Sequence, residues 1–211
     1  MKKPFWIAML VAVMTFCGGA QAQAQTAAID ASTPDGLIKA LTAVVMDSAK
    51  SDKSVQSGNL EHITALVNEK VLPYTDFERT TRLAMGRNWQ KATPDQQKQI
   101  VEQFKRLLIR TYSGAIAQIR DQQVEFQPLR GATDTDAVVR TQVINQGQPI
   151  QLDYRLEKTP DGWKIYDINV LGAWLIQAYQ QQFNEKISQS GIDGLLNFLT
   201  NHNASTAGGQ S

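Results

Sequence analysis

The residues of this 211-residue chain best suited to acid–base chemistry are Asp167, at the end of the run Gly162-Trp163-Lys164-Ile165-Tyr166-Asp167, and two histidines, His62 and His202. Strict strand alternation puts Asp167 on the same face as Trp163 and Ile165. A carboxyl among apolar groups has a raised pKa and can serve as a general base. The competing role, and the commoner one for such an aspartate, is to accept hydrogen bonds from a nearby turn or to pair with an arginine. Asp153 and Glu157 share a strand face with Arg155, which reads as the solvated side. A Ser-His-Asp triad is not excluded by spacing, because triads assemble in space. Yet His62 falls inside a helical pattern and His202 in a polar end, so no catalytic residue is nominated.

Metal chemistry has little to work with. The only cysteine, Cys17, lies in the N-terminal segment, and beyond it the two histidines are the sole imidazoles. Neither a zinc ligand set nor a Gly-rich phosphate loop, a Gly-x-Ser-x-Gly elbow or a His-Glu-x-x-His run is present, so neither a metal nor a cofactor is expected.

The N-terminal segment itself has the composition of a secretory leader. Lys2 and Lys3 precede an apolar run of about a dozen residues, short of the ~20 that span a bilayer, and small-x-small sites end at Ala22 and Ala24. We read residues 1–24 as a signal peptide, residues 25–200 as one domain and residues 201–211 as a flexible polar tail. Removing the leader takes away two lysines and no acid, moving the formal charge from +1 to −1. Bulk charge therefore gives no support for nucleic-acid binding. Residues 76–120 are locally basic, with nine Lys/Arg against four Asp/Glu. That excess reads first as a solvated helical face and second as a surface for anionic head groups or an acidic partner.

These residues must be positioned by helices at both ends of a sheet. Thr33-Pro34 opens an amphipathic helix carrying Leu37, Leu41, Val44 and Val45, and a second carries Leu60, Ile63, Leu66 and Val67 up to Pro73. Asp76 caps a short third helix that stops near Gly86. Thr93-Pro94-Asp95 starts the longest, with Ile100, Phe104, Leu107, Leu108, Tyr112, Ile116 and Ile119 at helical steps. The period then changes to two around Val124, Val139, Leu152 and Trp163, separated by the turn sequences Gln146-Gly147 and Asp161-Gly162. Beyond Gly172 the helical period returns through Leu175, Tyr179, Phe183 and Ile187, and Gly191 sets off a last helix through Leu199. The order predicts an α+β domain, a curved antiparallel four-strand meander packed against N-terminal and C-terminal helices. Trp163, Tyr154, Tyr166 and Trp174 read as packing aromatics.

Two stretches resemble a known family. Val71-Leu72-Pro73-Tyr74-Thr75-Asp76-Phe77, Leu83-Ala84-Met85-Gly86-Arg87-Asn88-Trp89 and Leu107-Leu108-Ile109-Arg110-Thr111-Tyr112 make up the first; Gly162-Trp163-Lys164-Ile165-Tyr166-Asp167, Gly172, Phe183 and Gly191-Ile192-Asp193-Gly194-Leu195-Leu196 the second. Together they resemble the MlaC, or toluene-tolerance, family. The resemblance implies an NTF2-like fold enclosing an apolar pocket and a periplasmic phospholipid carrier rather than an enzyme. The partners it implies are an inner-membrane Mla ABC transporter with an MCE-domain protein and an outer-membrane MlaA lipoprotein with its porin. On that basis the lipid-binding residues are expected to be Phe104, Leu108, Tyr112, Leu152, Tyr154, Ile165, Leu171, Ala173, Trp174, Leu175 and Tyr179. Arg79, Arg82, Arg87 and Arg110 are the head-group or docking candidates. Ile165 and Ile168 alternate, so only one can face the pocket unless the strand is bulged; Ile165 is chosen. The chain departs from the family where Val-Ser is usual and Ala173-Trp174 stands here, and where an arginine is common and Gln180 stands. A bulky Trp174 would narrow or reshape the pocket, which leaves a carrier of hopanoid or other polycyclic lipid as an alternative. An isomerase or hydrolase using Asp167 and a ligand-free adaptor are the alternatives of other classes.

Overall fold

The computed structural model describes residues 29–205. The leader read over residues 1–24 and the last six residues of the tail lie outside them.

The first helix, α1 (Pro34–Ser51), begins where Thr33 Oγ1 accepts from the Gly36 amide at 3.2 Å, with proline in the first turn, where its missing N–H costs nothing. Asp52 follows and caps α2 (Lys53–Gln56), a short helix inside the stretch expected to be a polar break. Asn59 caps α3 (Leu60–Leu66), which runs on through a wide π-helical turn and a 3-10 turn at Leu72–Tyr74. Asp76 caps α4 (Phe77–Met85), ended by Gly86 at φ +54. The longest unbroken helix, α5 (Pro94–Ala117), opens on a capping box in which Thr93 and Gln96 satisfy each other's backbone amides.

Five strands follow as an antiparallel meander in chain order: β1 (Gln123–Phe126), β2 (Asp136–Asn145), β3 (Gln148–Thr159), β4 (Gly162–Val170) and the two-residue β5 (Ala173–Trp174). The fifth was not anticipated, being too short to carry a period. The chain closes with α6 (Leu175–Ser205), broken at Ser190 and Gly191 where the backbone leaves helical geometry, as the glycine foretold. Residues 201–205, expected to belong to the flexible tail, continue this helix. Asn203 is buried there, its amide donating to the Gln103 carbonyl at 3.0 Å and to Gln103 Oε1 at 2.8 Å. Composition alone hid that anchor, because a polar residue at a helix end looks like a fraying one.

The pairing of β3 with β4 corrects two expectations. Its register steps between Arg155 and Leu156, so that Leu156 faces Ile165, Arg155 faces Asp167 and Tyr154 faces Ile168. One extra residue in β4 is a β-bulge, and beyond it every side chain changes face. Ile165 and Ile168 therefore share the face that packs on α1, where Leu37, Ile38, Ala137, Val139, Leu156 and Trp163 form a buried cluster. Asp167, expected beside Trp163 and Ile165, is turned to the opposite face.

Two further clusters complete the core. Met85, Ile100, Phe104, Leu107, Phe183, Leu195 and Leu199 join α4, α5 and α6. Ala49, Val55, Ile63, Leu66 and Ile109 join α1, α2 and α3 to α5. The free edge of β4 is covered along its first half by the approach to α4: the Asp76 amide donates to the Ile165 carbonyl at 2.8 Å, and Thr80 Oγ1 to the Tyr166 carbonyl at 2.6 Å. Its second half pairs with β5.

Candidate functional site: an apolar cleft between α5, β5 and α6

The turn from β4 into β5 forms one rim of the site. Val170 pairs with Ala173, leaving Leu171 (φ +53) and Gly172 (φ +91) as a two-residue hairpin turn with both residues left-handed. That is the backbone of a type I′ turn, which normally takes Asn, Asp or Gly at its first position. Asn169 Oδ1 accepts from the Gly172 amide at 2.9 Å, and the Leu171 amide donates to the Gln151 carbonyl at 3.1 Å, so the turn is tied down on both sides. Leu171 is 72% exposed, the most exposed of the large apolar side chains in the described residues.

Behind this turn lies a cleft of about 440 Å³ lined by Tyr112, Val170, Leu171, Ala173, Leu175, Ala178, Tyr179 and Gln182. The volume falls in the ~300–1,000 Å³ range of ligand sites. Tyr112 comes from the C-terminal half of α5; the others come from the end of β4, the β4–β5 turn, β5 and the first two turns of α6. Leu175, Ala178, Tyr179 and Gln182 follow one another at three- and four-residue steps and so form one helical stripe. Burial pushes the Tyr112 and Tyr179 phenols above their ordinary range, so both remain neutral hydrogen-bonding groups in the physiological range. A second recess of about 550 Å³, between the end of α5 and the β2–β3 turn, is lined by Gln118, Arg120, Asp121, Gln122, Asn145 and Gln146, with Ile144 as its apolar member. Its walls suit water rather than an apolar ligand.

Of the eleven lipid-binding residues expected from sequence, Tyr112, Leu171, Ala173, Leu175 and Tyr179 lie together in the cleft wall. Phe104 is fully buried in the helical core, its ring centroid 4.9 Å from Phe183 and 4.8 Å from Tyr179, and Leu108 packs against the same cluster. Ile165 and Tyr154 belong to the cluster under α1, where burial also drives the Tyr154 phenol strongly upward. Leu152 lies two residues before Tyr154 on the same sheet face. Trp174 does not enter the cleft. Because β5 is extended, Ala173 and Trp174 point to opposite sides, and the indole lies 3.9 Å from the Arg155 guanidinium. The indole is thus absent from the cleft lining and does not narrow it. Val170, Ala178 and Gln182 were not foreseen, although the last two continue the Leu175–Tyr179 spacing; their small or polar side chains gave no apolar signal.

The arginines divide as well. Arg79 is ion-paired with Glu157, sits 3.9 Å from Asp136 and stacks at 4.0 Å on the Tyr166 ring, so it ties α4 to the sheet. Arg82 and Arg87 are exposed and Arg110 is half-buried. None of the four lines the cleft.

Asp167 is the carboxyl that acid–base chemistry would use, and its side chain is wholly buried. Oδ1 accepts from the amides of Ile168 and Ile176, each at 3.0 Å, and Oδ2 from Arg155 Nη1 at 3.1 Å. Desolvation pushes its pKa up, against the opposing pull of the two amides and the guanidinium. Each oxygen is already engaged and neither faces the cleft. Among the described residues no cluster of histidines, cysteines and carboxylates is placed to hold a metal ion. No described helix is long and apolar enough to cross a membrane.

The profile of the MlaC protein family matches residues 27–201. The chain belongs to the MlaC family. It is 25% identical over 167 residues to the toluene tolerance protein ttg2D of Pseudomonas putida, a match covering 78% of each chain. Among solved structures it resembles the phospholipid-binding protein of Ralstonia solanacearum, determined in complex with a phospholipid, with a TM-score of 0.80 and 48% identity; the match covers 82% of this chain and 98% of that one. The MlaC fold thus accounts for the sheet and the flanking helices.

Proposed function

We propose that this protein is a phospholipid carrier of the periplasm, holding acyl tails against the cleft wall and moving lipid between outer- and inner-membrane Mla complexes so as to maintain outer-membrane asymmetry. The observation that carries the reading is the 48% identity to a family member solved with a phospholipid in place, in a chain whose own apolar cleft opens at the β4–β5 turn. Physical chemistry makes such a carrier necessary. Each methylene moved into water costs ~0.8 kcal/mol, so an acyl chain of about 14 methylenes costs on the order of 11 kcal/mol to expose. The wall offers what that cargo needs: aliphatic and aromatic groups from four elements, two neutral phenols, and no ionised side chain. A full diacyl lipid exceeds what an open cleft of about 440 Å³ encloses, so the tails would extend inward past Tyr179 toward Phe104 and Leu108 as the helices separate. The phosphate stays at the exposed mouth, since burying it would demand strong compensation.

Partners in this reading are the MCE-bearing ABC transporter and the MlaA–porin complex, with Arg82 and Arg87, exposed on α4 and the turn after it, as docking residues. Arg79 is withdrawn from that role by its ion pair with Glu157. The carrier performs no chemistry: Asp167 supports the backbone instead of meeting a substrate. The reading is tested by transfer of labelled phospholipid between donor and acceptor vesicles kept apart by a protein-permeable membrane. Transfer that rises with protein concentration is expected; a rate equal to that of buffer alone would refute it.

A further inference from the structure

The start of α6 lacks the usual means of satisfying its amides. Trp174 occupies the N-cap position and offers no side-chain acceptor, while the cleft wall begins with the next residue, Leu175. A carboxylate from β4 supplies the missing acceptor: Asp167 Oδ1 takes the Ile176 amide at 3.0 Å, and Oδ2 holds Arg155 Nη1 at 3.1 Å. Arg155 in turn lays its guanidinium 3.9 Å from the centre of the Trp174 ring. The three residues come from β3, β4 and β5 and close a loop around the segment that forms the cleft rim. Ala173, paired with Val170, is held between that loop and the cleft.

The bulge in β4 makes this arrangement reachable. Without the register step beside Arg155, Asp167 would face the sheet cluster under α1 and could touch neither Arg155 nor the α6 terminus. A second comparison lies within the molecule. The β2–β3 turn has the same left-handed pair, Gln146 (φ +50) and Gly147 (φ +78), with a polar residue first and no such brace behind it. The β4–β5 turn instead places an exposed leucine first and is backed by a charged group with no exposed side-chain surface.

We propose that Asp167, Arg155 and Trp174 are positioning residues for the cleft: they hold the β5 wall and the first turn of α6 in place and thereby set how fast an apolar ligand leaves. The proposal rests on the carrier reading. Trp174 acts from outside, as a bolt against Arg155, so its size is compatible with bulky cargo. Replacing Asp167 by asparagine keeps one oxygen for the two amides but turns an N–H toward the guanidinium, which frees Arg155 and leaves Trp174 without a fixed partner.

The test uses the full chain loaded from vesicles containing a fluorescent phosphatidylglycerol, with release to excess acceptor vesicles followed in time and unfolding measured on the same samples. Trp174→Ala and Arg155→Met should release lipid about 2- to 30-fold faster, the factor expected for losing one cation–ring contact. Trp174→Phe should stay within about twofold of the parent. Asp167→Asn should fall with the fast variants. Because Trp174 is only half-buried, its replacement leaves the fold intact even if the Asp167 variant does not fold. Release at the parental rate in Trp174→Ala and Arg155→Met would overturn the proposal while leaving the carrier reading standing, and so would acceleration that merely follows lowered melting temperature. A parent chain that takes up no phosphatidylglycerol would overturn both.

Discussion

The same two helices behave oppositely along their length. In the middle of α5 and the second quarter of α6, Phe104 and Phe183 meet edge to face at 4.9 Å and are fully buried, with Leu195 and Leu199 closing the cluster. One to two turns away, Tyr112 on α5 and Tyr179 on α6 line an open cleft, flanked by the exposed Ala178 and Gln182. Side-chain volume accounts for the difference. Large residues on both helices fill the space at one end; Ala178 and Gln182 on α6 leave it unfilled at the other. Tyr179 touches both regions, since its ring lies 4.8 Å from Phe104 while it also lines the cleft. A carrier needs this pairing of an end that packs closed and keeps the fold when empty and an unfilled end that takes the tails first.

The largest effect should come from the closed end. Phe104→Ala removes a ring packed against Phe77, Tyr179 and Phe183, and should cost about 3–5 kcal/mol in urea or thermal unfolding. A loss below ~1 kcal/mol would mean that the closed end is not a packed core and would dissolve the contrast. Next comes the open end, through Ala173→Glu. Ala173 is exposed in the empty cleft, so stability should stay within about 0.5 kcal/mol of the parent, while bound phospholipid per chain falls at least ~10-fold because a loaded cleft would bury an uncompensated carboxylate. Leu175→Glu is the poorer probe: at 8% exposure it buries a charge even when the cleft is empty and should destabilise the fold itself.

Asn203→Ala sharpens the contrast from the far end of α6. Losing both bonds to Gln103 should cost about 1–2 kcal/mol and leave lipid content unchanged. The smallest effect is a pH dependence. Burial raises the folded pKa of Asp167 above its ordinary 3.8, so the native state takes up the proton more readily than the unfolded chain. The stability gained through that neutral carboxyl is complete below the ordinary value and is lost as pH rises through the raised one. The stability of the parent relative to Asp167→Asn should therefore decline from about pH 4 toward neutrality, read from urea midpoints, whereas an increase over that range would contradict the burial argument.

Most of the fold could be read in the sequence because its signals are local. Thr33-Pro34, Asp76 and Thr93-Pro94 mark helix starts through caps that the structure contains, and the period-two runs of β2 and β3 pair as their alternation requires. The site was legible only in part, because it depends on one non-local event. Alternation extrapolated through Tyr166 assigns Asp167 to the apolar face and separates Ile165 from Ile168; the bulge, set by pairing with Arg155 and Leu156, reverses both. The facing of Trp174 was not legible for a related reason. A two-residue strand has no period of its own, and its facing is decided by its pairing with Asn169 and Val170 on β4. Ala178 and Gln182 matter through the volume they leave empty, which a search for apolar residues passes over.

The central claim is that the open end of the α5–α6 pair is shaped for a phospholipid. Native mass spectrometry of the full chain, purified without detergent from the periplasm of an expressing Gram-negative host and then extracted with organic solvent, tests it most directly. The account predicts a mass increment of one phospholipid per chain in the parent and its loss in Ala173→Glu. A parent chain that is consistently empty and cannot be loaded from liposomes, or an Ala173→Glu chain that keeps its lipid, would contradict it.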